Sequence, residues 1–141
     1  MGRVVLDSSV LVAMFYEGDK HYKSIASQLQ IEIHQYLISA ITLSETLTHA
    51  FHRGVGENMK AQILDSIDGV IGVGAELAVE AARIRSISNL RLPDALISAT
   101  ATANDAQLWT FDANLAKVHN DLVGQRPDGG VNKSSPTLLL T

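Results

Sequence analysis

Four short apolar runs, Arg3–Leu6, Tyr36–Ser39, Val70–Val73 and Gln107–Thr110, punctuate the chain at strand length and are rich in Val, Ile and Leu. Longer stretches with helical spacing lie between them. This alternation predicts an α/β fold in which helices cover both faces of a parallel sheet. Ser9–Tyr16 reads as the first helix and His21–Gln30 as the second, with Ile25, Ala26 and Leu29 on one face. Thr42–His52 carries Leu43, Leu47, Ala50 and Phe51 as a stripe, and Asn58–Asp68 stops at Gly69. Ala75–Ser88 turns Leu77, Ala78, Ala81, Ala82 and Ile84 towards a core. Pro93 is tolerated in the first turn of a further helix that runs through Leu96, Ile97 and Ala101 to the neighbourhood of Asn104. A short helix at Asn114–His119 follows the last clear strand.

The pattern breaks at Gly124. The stretch GQRPDGGVNKSSPT holds two prolines and three glycines and reads as a loop or tail. For Leu138, Leu139 and Leu140, which follow it, an edge strand, packing on a partner chain and disorder are all open. The expected organisation is one domain over residues 1–123 and an irregular C-terminal tail over 124–141.

Composition narrows the class. Hydrophobic residues make up 46% of the 141 and charged residues 18%, a balance that argues against disorder and supplies a sizeable core. There is no cysteine, so disulfides, thiolate metal sites and cysteine nucleophiles are excluded, and the five histidines lack zinc-site spacing. His49 and His52 share one helix but have no third ligand of suitable spacing. A metal site would have to use oxygen. The opening MGRVVLDSSVLVAMF is too short and too polar for a membrane span and lacks a signal-peptide cleavage pattern, which makes the cytoplasm the expected compartment. Net charge is −4, unexpected for a protein that holds nucleic acid by neutralising its backbone. Either nucleic acid is not the partner, or metal ions bring the positive charge.

The acidic residues bear on that choice. Asp7 follows the first strand, at the edge of a parallel sheet where ligands bind, although Asp7 or Ser8 would also cap the next helix. Glu45 lies three residues after Thr42, in a pattern that matches a capping box. Asp94 follows Pro93 in a first helical turn, where the helix dipole favours a carboxylate whatever its role. Asp112 ends the run Leu108–Phe111 and also reads as a turn or cap residue. Taken singly, each is explained by structure. Taken together, they fall on one edge of a parallel fold, where four carboxylates repel unless a cation neutralises them. Such a cluster suits Mg²⁺ or Mn²⁺, which polarise phosphoryl oxygens and make water easier to deprotonate.

Four ordered segments then resemble the PIN domain family and, within it, the VapC-type toxins of bacterial and archaeal toxin–antitoxin pairs: VVLDSSVLVAMF, SAITLSETLTHAF, LRLPDALISATA and LWTFDANLAKV, with one acid matched in each. DKHYKSIASQL, with His21 before an amphipathic helix, also resembles the family's second helix. The resemblance extends to about Val123. It implies a PIN-like three-layer α/β/α fold with a four- or five-stranded parallel sheet, a Mg²⁺ or Mn²⁺ site, and hydrolysis of RNA leaving a 5′-phosphate. It implies a homodimer silenced by a cognate antitoxin protein. By the same carry-over Asp7, Glu45, Asp94 and Asp112 become catalytic and metal-binding, with Ser8 or Ser9 and Thr110 supporting them. Asp7 and Asp94 are the first choices for direct ligands, and Glu45 for a role through water or as a base. Asn114 stands where many relatives carry a further acid; its amide can still hold a water or a phosphate. Lys20, Lys23, Arg53, Arg91 and Lys117 are candidate RNA contacts by their loop or helix-end positions, and solvated surface charge explains them equally well. Tyr16, Tyr22 and Trp109 sit in or beside apolar runs and read as core or interface residues before base-stacking ones.

Other readings fit less well. A haloacid-dehalogenase-type phosphatase needs a second acid two residues after the first, where this chain has Ser9. A receiver-like magnesium-binding signalling domain would show paired early acids and a late lysine, and neither is visible. A PIN-like interaction module that has lost catalysis is disfavoured by the four intact acids.

Overall fold

The computed structural model describes residues 2–31, 33–125 and 137–141. The chain runs β1 (Arg3–Leu6), α1 (Ser8–Phe15), α2 (Tyr22–Leu29), β2 (Gln35–Ser39), α3 (Ala40–His52) and α4 (Gly56–Ser66). It continues through β3 (Gly69–Ile71), α5 (Ala75–Ser86), α6 (Leu92–Ala103), β4 (Gln107–Thr110), α7 (Ala113–Gly124) and β5 (Thr137–Leu139). The five strands form one sheet in the order β3-β2-β1-β4-β5, every neighbouring pair parallel.

Val4, Val5 and Leu6 of β1 and Leu108 and Trp109 of β4 are apolar and buried because both faces of the sheet are covered. Successive side chains on a strand point to opposite sides. Val5 and Leu108 therefore join Ala81 and Ile84 of α5, Ala95, Leu96 and Ala99 of α6, and Leu115 of α7 in one core. Val4, Leu6 and Trp109 join Val10 and Leu11 of α1, Ile25 of α2 and Ile63 of α4 in the other. The result is the expected three-layer α/β/α arrangement. Trp109 is a core residue, as read from the sequence, whereas Tyr16 is exposed.

Several boundaries differ from the sequence reading, each for a local reason. α3 starts at Ala40, with the Ser39 hydroxyl accepting from the Ile41 amide at 3.2 Å. Thr42 and Glu45 therefore do not form the expected capping box; Thr42 is buried inside the helix, and Glu45 lies in its second turn. β3 starts at Gly69, which pairs with Leu37, so it begins one residue before the expected run and ends two residues short of it. A Cβ at Gly69 would lie 3.1 Å from the Leu37 side chain, so this glycine permits close strand approach instead of ending a helix. α7 runs well beyond the short helix expected, because Val118 and Leu122 continue its apolar stripe onto the core. The C-terminal leucines take the first of their three open fates: β5 pairs with Leu108–Thr110, and the Leu140 amide donates to the Thr110 carbonyl at 2.8 Å. The loop expected at the start of the tail lies mostly outside the described residues. Among the described residues no helix is long and apolar enough to cross a membrane.

Candidate active site

The strand order reverses at β1. The chain builds β2 and β3 outward on one side, then crosses to place β4 and β5 on the other. The crevice outside the carboxyl ends of β1 and β4 is the topological switch point, where open α/β sheets bind ligands. Asp7 leaves β1 there, and Asp112 follows β4 there.

Asp7 is 5% exposed and fully engaged. Its Oδ1 accepts from the Val10 amide at 3.0 Å, capping α1, and from the Ser9 hydroxyl at 2.6 Å. Its Oδ2 accepts from the buried Thr110 hydroxyl, and Thr110 Oγ1 in turn accepts from the Asp112 amide at 2.9 Å. One hydroxyl therefore locks the two strand ends together across the switch point. Of the two serines after Asp7, Ser9 makes the carboxylate contact, while Ser8 opens α1 and lines the adjoining cleft. Asp112 caps α7 through Oδ1, which accepts from the Asn114 and Leu115 amides at 2.9 and 3.2 Å. For Asp7 and Asp112, capping and a place in the acidic edge belong to the same carboxylate. The Asn114 side chain donates to Asn89 Oδ1 at 3.3 Å and ties α7 to the α5–α6 connection.

Asp94 stands in the first turn of α6, whose N-cap position is Arg91. Burial is the largest influence on its carboxyl and, with the charges of Asp112, Asp7 and Glu45, pushes its pKa up to about 6 against the pull of Arg91. Burial also raises Asp7; hydrogen bonds from Ser9, Thr110 and Val10 pull it back down, and the Asp112 charge adds to the rise. Asp94 is thus within electrostatic reach of the other three acids, and Asp7 of Asp112. Their donor set fits a hard divalent cation, being oxygen only, mutually repelling and partly desolvated. Among the described residues no three His, Cys, Asp or Glu side chains stand close enough to clasp an ion directly.

Beside the acids opens a cleft of about 510 Å³ whose lining includes Ser8, Ser9, Lys20, His21, Glu45 and Asp112. Of the five basic candidates, Lys20 lines this cleft and Arg91 acts on Asp94. Lys23 and Lys117 are exposed and outside the lining, and Arg53 lies over the Tyr16 ring, 5.0 Å from its centroid. The sequence reading missed Phe111, His49 and the cleft role of His21. His21 stacks on Phe111 with ring centroids 3.9 Å apart, a contact between distant segments that no local pattern signals. His49 lines the same cleft, and its position one helical turn after Glu45 is the sequence signal for it.

The class that the fold and site define is an open parallel α/β sheet with carboxylates at its switch point. A family model for the PIN domain matches residues 4–120, and the chain belongs to this family. No curated protein matches the chain. Among solved structures, it is similar to a chain of a toxin–antitoxin complex from Klebsiella pneumoniae, with TM-score 0.68 and 19% identity over 96% of this chain and 95% of that one. It is also similar to VapC20 of Mycobacterium tuberculosis, described as a sarcin-ricin loop cleaving toxin, with TM-score 0.71 and 20% identity over 81% and 93% of the two chains. A third likeness is to FitAcB from Neisseria gonorrhoeae, with TM-score 0.66 and 19% identity over 82% and 92%.

Proposed function

We propose that this PIN-domain protein is a Mg²⁺- or Mn²⁺-dependent ribonuclease and the toxin of a type II toxin–antitoxin pair. The observation that carries the reading is the half-buried Asp94 within electrostatic reach of Asp7, Glu45 and Asp112, its carboxyl raised to about 6. In this reading Asp7 and Asp94 are the principal metal-binding residues, with Asp112 and Glu45 completing the site. Ser9 and Thr110 hold the Asp7 carboxylate in place. When bound, the cation neutralises the acids, activates water and stabilises charge on the phosphoryl oxygens. Glu45 lines the cleft, and in this reading it takes up a proton from water arriving there. Partners under this proposal are an RNA substrate, a second copy of the chain and an antitoxin protein, and the place of action is the cytoplasm.

The direct test is cleavage. Purified protein should cut RNA with Mg²⁺ or Mn²⁺ and stop when the metal is chelated. Asp94→Asn should abolish turnover while leaving the thermal midpoint equal or higher, because one of several repelling carboxylates is gone. Induced in a bacterium, the wild-type chain should arrest growth and the Asp7→Asn chain should not. A wild-type protein that cuts no RNA with either metal, together with an Asp94→Asn chain that fails to fold, would reduce the acids to helix caps.

A further inference from the structure

The cleft beside the acids contains a feature that the cleavage chemistry does not use. The His21 ring lies on the Phe111 ring, centroids 3.9 Å apart and planes at 14°, and both rings line the cleft with Glu45 and Asp112. Both are only partly buried. The backbone that carries each ring is held in place. Asp19 Oδ1 accepts from the His21 amide at 2.9 Å, the Asp19 amide donates to the Tyr16 carbonyl at 3.0 Å, and its carbonyl accepts from the Tyr22 amide at 3.1 Å. Phe111 sits between Thr110 and Asp112; the Asp112 amide donates to the Thr110 hydroxyl, which itself donates to Asp7, and these two bonds fix that turn.

Charge limits what else the cleft can use to hold RNA. Its acids are Asp19, Glu45 and Asp112, and its one lysine is Lys20. Phosphate neutralisation by protein cations therefore supplies little affinity. Stacking on an aromatic surface depends far less on charge, and every nucleobase has a π-face. A pair of rings already stacked and pinned adds contact area at small entropic cost.

We propose that the His21–Phe111 pair is the seat of one unpaired nucleobase of the RNA, next to the phosphodiester that the acids address, with Lys20 beside it for a phosphate. A base can occupy that seat only when it is out of a helix, so the pair selects single-stranded or splayed segments over duplex. The proposal rests on the ribonuclease reading above.

The test uses the full chain with Asp94→Asn, in Mg²⁺, so that RNA stays intact. Binding is read by anisotropy of a labelled, short mixed-sequence single strand and of its duplex, and stacking by the fluorescence of 2-aminopurine within the strand. Adding His21→Ala should weaken single-strand binding about tenfold, adding His21→Phe should keep it within about twofold, and neither should change duplex binding. Binding to the parent should quench 2-aminopurine, which checks the stack even if His21→Ala folds poorly. Unquenched fluorescence on binding overturns the proposal. So does single-strand affinity indifferent to His21→Ala, or a His21→Phe chain with an unchanged melt that binds as badly as the alanine variant. If the wild-type chain cuts RNA and any of these occurs, the stack alone is wrong; if it neither binds nor cuts any RNA, the ribonuclease reading falls with it.

Discussion

At the scale of single residues, Thr110 carries more than its size suggests. Its hydroxyl donates to Asp7 and accepts from the Asp112 amide, in a fully buried position. Thr110→Val keeps the shape and removes both bonds, leaving a buried carboxylate and a backbone amide each short of a partner. The expected cost is about 1–3 kcal/mol of folding stability, read by chemical denaturation, with cleavage lost as well. Losing a bond that favours ionised Asp7 also moves its pKa further up, so any residual cleavage should need higher pH. Thr110→Ser retains the hydroxyl and should recover most of both properties. A Thr110→Val chain as stable and as active as the parent would show that the carboxylate is held by Ser9 and the Val10 amide alone.

At the scale of elements, β5 completes the sheet from within the stretch 124–141 that the sequence marks as an irregular tail. Leu140 is 7% exposed and packs in the core with Trp109 and Ile25, while the Ser24 hydroxyl on α2 donates to the Thr141 carbonyl at 2.7 Å. Leu140→Ala should therefore cost about 2–4 kcal/mol in a denaturant melt. A change below half a kcal/mol would mean that β5 contributes little to the fold. How legible each element was follows from how local its cause is. β1 and β4 were readable to the residue, because the middle of a strand buried on both faces is a short apolar run. β3 was not, because Gly69 signals a helix stop and a close strand contact equally well, and only Leu37 across the ladder decides between them. Thr42 and Glu45 matched a cap pattern that Ser39 pre-empts. Asp7, Asp94 and Asp112 were legible because strand ends and helix starts place them; His21 against Phe111 was not, since that contact exists only once the chain has folded.

At the scale of the whole molecule, a chain of net charge −4 carries carboxylates at its sheet edge, which couples stability to pH and, under the proposed metal site, to the cation. Asp94 has a native pKa of about 6 against 3.8 for the ordinary group, and burial shifts Asp7 in the same direction. The native state therefore holds these protons more tightly than the unfolded chain does. Their contribution to metal-free stability is fully present below about pH 4, declines as pH rises through 6, and is flat above that. A divalent cation prefers the ionised carboxylates, so its stabilising effect should grow across the same window. At a concentration a hundredfold above its dissociation constant it would supply about 2.7 kcal/mol. Thermal melts at pH 5 and pH 7.5, in chelator and in Mg²⁺, resolve the two effects. The metal should raise the midpoint clearly at pH 7.5 and little at pH 5, and Asp94→Asn should weaken both the metal response and the pH slope. Equal metal responses at the two pH values, or an undiminished response in Asp94→Asn, would place the cation away from this edge. The unusual charge for a nucleic-acid enzyme would then lose its explanation.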